Sequence, residues 1–197
     1  VDVLAKMVHG TTVALLVGFV SMGLAGTIGI VAGALSGYCG GWVDMLLSRI
    51  TEVVMCVPTL VLILALVAFV EKPTIWKTMA IIGATGWTWI ARLARGEFMR
   101  LRSSEFVLAA RAAGAGPLRI MLRHILPNAL APVLVPITFG IASAILIESS
   151  LSFLGFGSPP PSASWGGVLN DARSNLAMWW LVVFPGTAIF LTVLSYN

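Results

Sequence analysis

Residues able to do chemistry are few and scattered in this 197-residue chain. The candidates are His9, His124, Cys39 and Cys56. Neither the histidines nor the cysteines have the spacing of a metal site or of a CxxC pair. The sequence contains no GxxxxGKS/T phosphate-binding loop and no recognisable pairing of a nucleophile with a base. We therefore expect a chain that is not an enzyme and that binds no cofactor and no metal.

The polar stretch over about 93–125 is the segment best suited to a function. Seven of the twelve basic residues lie in or beside it. They are Arg92, Arg95, Arg100, Arg102, Arg111, Arg119 and Arg123. Glu105 begins an alanine-rich, helix-prone run that ends at Gly114, and Pro117 then restarts a helix. This pattern predicts two short helices joined at a glycine, whose small side chains are suited to enter a groove on a partner protein.

The elements that must position this segment are membrane helices. Hydrophobic residues make up 58% of the chain and charged residues only 10%, against about 25% charged in an average soluble domain. Roughly 20 apolar helical residues cross a hydrocarbon core of about 30 Å. The sequence therefore predicts an all-α integral membrane domain over 1–197, with spans over about 11–35, 50–70, 75–92, 126–148 and 176–197. A loop over about 153–174 joins the last two spans.

The charge distribution predicts the orientation. Positively charged loops stay in the cytoplasm, so we expect 93–125 to be cytoplasmic and 153–174 to be external. Three predicted spans precede the basic loop, so the chain is expected to begin outside the cytoplasm. We expect that a further N-terminal span precedes this sequence, which would make six in the parent protein.

Small residues recur every four positions in the first span. They are Ser21, Ala25, Gly29, Gly33 and Gly37. This spacing places them on one helix face and predicts close packing against another helix, either in the same subunit or in a neighbouring one. Pro58 is expected to bend the second span.

Isolated polar and aromatic residues suggest further roles. Glu148 lies near the external end of the fourth span, where it is a candidate for the translocation path or for a polar packing partner. Trp165, in the external loop, is a candidate for an interfacial anchor or for contact with an external protein. Asp44 and Glu52 are expected to form ordinary interfacial ion pairs with Arg49.

Three motifs carry a resemblance to a known family. Glu105–Gly114, followed by Arg119–Asn128, resembles the EAA loop of bacterial ABC import permeases, in its peptide/nickel uptake branch. Ser36–Asp44 resembles that branch's glycine-rich turn. Leu151–Gly157, with the prolines 160–161 and Ser164–Gly166, is similar to a motif of its C-type subunit. Leu108 departs from the general EAA pattern, which has glutamate there.

The resemblance implies a type I ABC importer-like fold and a transport mechanism. It implies a pore formed with a second permease subunit, two cytoplasmic ATPase subunits that grip the EAA-type loop, and an external solute-binding protein, all at a bacterial inner membrane. The loop residues that it implies in coupling are Glu105, Ala109, Ala110, Arg111, Ala113, Gly114, Arg119 and Pro127. Peptides, nickel chelates and glutathione all fit as substrates.

One other class of function is left as an alternative, a secondary transporter or channel. It would be favoured by ionisable residues in the middle of its spans, and these are scarce here. A membrane-bound enzyme has no support in the sequence, and no nucleic-acid partner is expected, because membrane topology already accounts for the arginines of 93–125.

Overall fold

The computed structural model describes residues 3–70, 74–157, 163–174 and 177–196, and every element assigned there is helical. The helices are α1 (Val3–Cys39), α2 (Gly41–Met55), α3 (Thr59–Ala68), α4 (Ile75–Arg102), α5 (Glu105–Ala112), α6 (Pro117–Arg119), α7 (Leu126–Phe153), α8 (Trp165–Ser174) and α9 (Trp180–Tyr196), with a π-helical turn, Ile120–Ile125, between α6 and α7.

Two helical stretches among the described residues are long and apolar enough to cross a membrane. They are Val3–Cys39 and the continuous stretch Pro117–Phe153, each of 37 residues. At about 1.5 Å per residue, either one exceeds the hydrocarbon thickness of a bilayer. The pair α2 and α3 adds a third crossing if it is counted as one bent span, and α9 is apolar but shorter. The all-α membrane architecture agrees with the sequence, whereas the number of five spans stays a prediction.

The predicted span over 50–70 contains a sharp break. α2 ends at Met55, α3 begins at Thr59, and the two helices meet at an angle of 82°. Pro58, just before α3, has no backbone N–H to donate, and its ring disfavours a helical conformation in Val57. The expected bend at Pro58 is therefore present, and it is large enough to separate two helices.

The basic and external segments are more helical than the sequence predicted. α4 continues through Arg102, so the arginines from 92 to 102 lie on a helix and the connection proper begins at Ser103. About half of the predicted external loop over 153–174 is α8. The Pro-rich stretch 158–162, including the motif prolines 160–161, lies outside the described residues.

Contacts group the chain into two units. The first draws on Val1–Gly23, Thr59–Thr85 and Thr138–Asn197, and the second on Leu24–Pro58 and Gly86–Ile137. Inside the first unit, Val168, Ala172 and Leu181 form a small core, and Lys6 binds Asp171 at 2.7 Å. A larger core in the second unit comprises Ala34, Phe98, Leu101, Val107, Ile120, Ile125 and Ala129. Because α1, α4 and α7 each contribute to both units, the predicted single domain over 1–197 stays a prediction.

Candidate functional site

The second unit carries a short helical projection between α4 and α7, here called the α5 knob and defined as residues 103–119. α5 begins after Ser104, whose extended backbone interrupts the helical path. The hydroxyl of Ser104 donates to the carbonyl of Leu101 at 2.6 Å and so caps the end of α4. The chain therefore leaves one helix and starts the next within two residues.

Gly114 ends α5 in a left-handed conformation, with φ of 82°. The amide of Ala115 donates to the carbonyl of Ala110, and that of Gly114 to Arg111, both at 3.0 Å. These two bonds form a Schellman motif, which satisfies carbonyls at the helix end. Pro117 then occupies the first turn of α6, where a missing N–H costs nothing. The helix, glycine turn and second helix predicted from the sequence are all present.

The inner side of the α5 knob is fixed by apolar packing. Val107 and Ile120 are buried at 0% and 1% exposure, and they pack with Phe98 and Leu101 of α4. Ala110 and Ala115 are partly buried against the same core. α5 is thus anchored to α4 and to the start of α7, so a force on α5 would reach both helices.

The outer side of the knob is small, apolar and uncovered. Ala109, Ala112, Ala113 and Gly114 are all exposed. Larger exposed apolar side chains surround them, namely Phe106, Leu108, Leu118 and Leu122. Small residues allow close approach of a partner backbone, and exposed apolar patches mark interaction sites. The arrangement is suited to docking, and it contains no catalytic constellation among the described residues.

Basic residues border this surface. Arg111 and Arg119 are exposed, and so is Glu105 at the start of α5. Within the described residues none of the three takes part in a salt bridge. Each is therefore available to a partner, although an exposed ion pair contributes only about 0–1 kcal/mol.

Pro127 lies at the second residue of α7 and is exposed. It follows directly on the π-helical turn Ile120–Ile125. Because proline removes one helical donor, a change of hydrogen-bond register just before it is physically reasonable. The π turn was not predicted from the sequence, and Pro127 was the signal that could have indicated it.

An ion pair between α2 and α4 was not predicted from the sequence. Arg95 donates to Asp44 through Nε at 2.5 Å and Nη2 at 2.7 Å, and the hydroxyls of Ser36 and Ser48 also donate to this carboxylate. The expected pair of Asp44 with Arg49 was wrong. The two are five residues apart on one helix, whereas side chains meet at spacings of three or four.

Arg49 instead binds Glu52, its neighbour at a spacing of three, at 2.8 Å. That part of the expectation is confirmed.

The small-residue face of α1 packs against α4. Within the second unit, a Cβ added at Gly33 would lie 2.6 Å from the carbonyl oxygen of Ala91, and one at Gly37 would lie 2.5 Å from that of Arg95. A Cβ added at Gly29 would likewise lie too close to Ile90. Ala25 is fully buried near Gly86. The structure therefore places this packing inside the chain, at the helix that leads into the α5 knob.

Glu148 and Trp165 are both buried in the first unit. The exposure of Glu148 is 5%, and the hydroxyl of Ser152 donates to its carboxylate at 2.7 Å. Trp165 is 3% exposed and donates to the carbonyl of Met7 at 3.2 Å. A Cβ at Gly166 would overlap the carbonyl of Ser149. The indole of Trp165 thus joins α8 to α1 and is not exposed as an interfacial anchor would be, whereas the bond between Ser152 and Glu148 lies within α7.

Comparisons with known proteins show which family this chain resembles. A family model described as "Binding-protein-dependent transport system inner membrane component" matches residues 29–197. A putative peptide permease protein of Brucella ovis is 39% identical over 199 residues, covering 100% of this chain and 66% of that protein. The dipeptide transport system permease protein of Alkalihalophilus pseudofirmus is 38% identical over 197 residues, covering 100% of this chain and 64% of that protein. The chain thus spans just under two thirds of the length of these relatives.

A solved structure shares the fold. The methionine ABC transporter MetNI, in an inward-facing conformation, has a chain that superposes with a TM-score of 0.68 at 18% identity. The superposition covers 98% of this chain and 96% of the other.

Proposed function

Because this chain belongs to the family of inner-membrane components of binding-protein-dependent transport systems, we propose that it is the permease subunit of an ATP-driven importer for peptides or related small solutes. The relatives named for peptide and dipeptide transport support the substrate class. The family description supports dependence on an external binding protein. Nickel chelates and glutathione stay within the proposed range of substrates.

The observation that carries the proposal is the outer surface of the α5 knob. It presents small residues on a helix fixed from behind by a buried core. In the proposed complex, two cytoplasmic ATPase subunits grip this knob and its counterpart on a second permease subunit, whereas this chain itself holds no nucleotide and no other cofactor. Closure of the ATPases on ATP moves the knob, and α4 and α7 transmit that movement to the pathway, which switches between inward-open and outward-open states.

The finer architecture belongs to the same proposal. We assign the chain to the C-type subunit of a heterodimeric pore with type I topology. Five of six spans lie in this sequence, 93–125 faces the cytoplasm, and 153–174 faces the binding protein. Glu148 and Trp165 then lie near the external mouth, where their burial makes them structural supports of the pathway.

The test uses substitutions at an exposed position of the knob. Ala109 is exposed, so Ala109→Arg leaves the buried core intact while it blocks close approach of a partner. The full-length permease, co-expressed with its genomic neighbours, is purified in detergent and the bound ATPase is quantified. We expect Ala109→Arg to reduce bound ATPase by about tenfold or more, as loss of an interface centre does.

The matched control is Ala109→Ser, which keeps the residue small and should retain the ATPase. If Ala109→Arg co-purifies as much ATPase as the wild type and supports normal uptake, the coupling role is wrong. If no ATPase co-purifies with the wild type, the importer assignment itself is contradicted.

A further inference from the structure

An apolar groove of about 500 Å³ opens in the first unit between α7, α8 and α9. Its volume lies within the range of about 300–1,000 Å³ typical of small-molecule sites. The apolar side chains that line it are Leu146, Phe153, Leu169, Ala172, Val182 and Ile189. The groove therefore suits a ligand with a substantial hydrocarbon part.

Arg173 places a positive charge at this groove. It lies in the last turn of α8, and its guanidinium carbon lies 5.5 Å from the centre of the Phe153 ring. Asp171, the nearest acid along α8, binds Lys6 at 2.7 Å. Across the described residues Arg173 has no carboxylate within salt-bridge distance. Its charge is thus available to an anion that enters the groove.

Ser149 adds a free hydroxyl. The side chain lines the groove, is only 5% exposed, and its Oγ has no hydrogen-bond partner in the described part of the chain. The neighbouring Ser150, by contrast, donates to the carbonyl of Leu146 at 2.8 Å. A buried hydroxyl without a partner costs free energy, so an acceptor in the groove would relieve that cost once rotation about χ1 turns the hydroxyl toward it.

We propose that this groove is a binding site for an anionic phospholipid. The headgroup phosphate pairs with Arg173 and accepts a hydrogen bond from Ser149, while an acyl chain lies along the apolar wall. Trp179, exposed just before α9, marks the depth of the membrane interface, where aromatic residues gather at headgroup level. A guanidinium pairs with phosphate oxygens through charge-assisted hydrogen bonds, which are stronger than bonds between neutral groups.

The composition of the wall favours a lipid over a peptide. A peptide carries an ammonium group as well as a carboxylate, and the groove lining includes no Asp or Glu to receive the ammonium. Leu146 and Val182 are also 43% and 53% exposed, so the groove is open to the surrounding apolar phase rather than enclosed. A zwitterionic lipid has the same acyl chains but no net negative charge to pair with Arg173, so an anionic lipid should bind more tightly.

The experiment measures lipid binding by the full-length permease in detergent. Phosphatidylglycerol and phosphatidylcholine with matched acyl chains are titrated, and affinity is read by native mass spectrometry. We expect tighter binding of phosphatidylglycerol, and about fivefold weaker binding in Arg173→Gln, since one basic contact near a membrane surface contributes about that factor. Arg173→Lys should retain most of the affinity because it keeps the charge.

Arg49→Gln is the matched control. It removes one positive charge from an exposed position on α2, none of whose residues lines the groove, and it should leave phosphatidylglycerol binding unchanged. The proposal is overturned if the two lipids bind equally well, or if Arg173→Gln and Arg49→Gln weaken binding to the same extent. It is also overturned if Arg173→Gln leaves lipid binding intact but lowers the affinity for transported peptide, which would make the groove part of the substrate path.

Discussion

At the scale of single residues, Gly114 controls how α5 ends. Its φ of 82° lies in the left-handed region, where a residue with a Cβ costs roughly 1–2 kcal/mol. A Cβ there would meet no atom within 4 Å, so the cost is conformational and not steric. Asparagine visits this region more readily than other residues with a side chain.

Gly114→Val should therefore shift the turn away from its native shape and reduce coupling, whereas Gly114→Asn should retain most of it. The expected loss for the valine variant is about tenfold in the population of the native turn, from about 1–2 kcal/mol. Substrate-stimulated ATPase activity of the reconstituted complex measures this, with membrane expression as the control. Equal activity in the two variants would show that the left-handed turn is not needed.

The Asp44–Arg95 pair is the second residue-scale determinant. The contact is bidentate, and the side chains are 20% and 36% exposed. A hydrogen bond between charged groups contributes about 1.5–3 kcal/mol. We expect Asp44→Asn to lower the stability of the purified protein by an amount in that range, seen as a lower melting temperature in detergent.

Arg49→Gln serves as the control, because it breaks an exposed pair on the same helix, at 75% and 53% exposure. The change in stability should be within about 1 kcal/mol. A double-mutant cycle with Arg95→Gln would give a coupling energy near zero if the bidentate contact does not contribute.

Single residues also show which features can be predicted from the sequence and which cannot. The turn at Gly114 could be predicted because its signals, the alanine-rich run, Gly114 and Pro117, are local. The partner of Asp44 could not, since Arg95 lies 51 residues away and only the packing of α2 beside α4 brings them together. The burial of Trp165 could not be predicted for the same reason, because its hydrogen-bond partner, Met7, lies 158 residues away in the sequence.

At the scale of elements, the contact between α1 and α4 depends on the absence of side chains. Gly29, Gly33 and Gly37 each face α4 atoms closer than any Cβ could approach. The four-residue spacing predicted which face of α1 would pack, because the helical period alone defines a face. It could not predict the partner helix, which depends on tertiary structure. The sequence predicted a bend at Pro58, but it did not predict that α2 and α3 would be two separate helices.

Gly33→Ala should destabilise the protein. The added methyl would lie 2.6 Å from both the Ala91 carbonyl oxygen and the Ala94 Cβ, so backbone would have to move. Overpacking of this kind costs typically about 1–3 kcal/mol. Gly23→Ala, on the same helix with nothing within 4 Å, should be neutral or stabilising. Thermal melting in detergent compares the two, and equal melting temperatures would mean that α1 does not pack tightly on α4.

At the scale of the whole molecule, the amino-acid composition predicts a membrane protein. It does not predict how many times the chain crosses the membrane. A chain with 10% charged residues and mean hydropathy of +0.98 must lie largely in a membrane. Two helical stretches among the described residues are long and apolar enough to cross, and the pair α2 and α3, bent by 82°, adds a third if it is counted as one span. The arginines near α4 and α5 are the strongest predictor of orientation, since basic loops stay in the cytoplasm.

Orientation can be measured with single cysteines. Cys39 and Cys56 are both exposed, so they are first replaced by serine. Leu118→Cys then reports on the α5 knob, where the side chain is 64% exposed, and Ala177→Cys reports on the turn before α9. A membrane-impermeant maleimide should label Leu118→Cys only in inverted vesicles and Ala177→Cys only in right-side-out vesicles. Labelling of both positions from the same side would require an even number of crossings between them, so the single passage assigned to Pro117–Phe153 would be wrong.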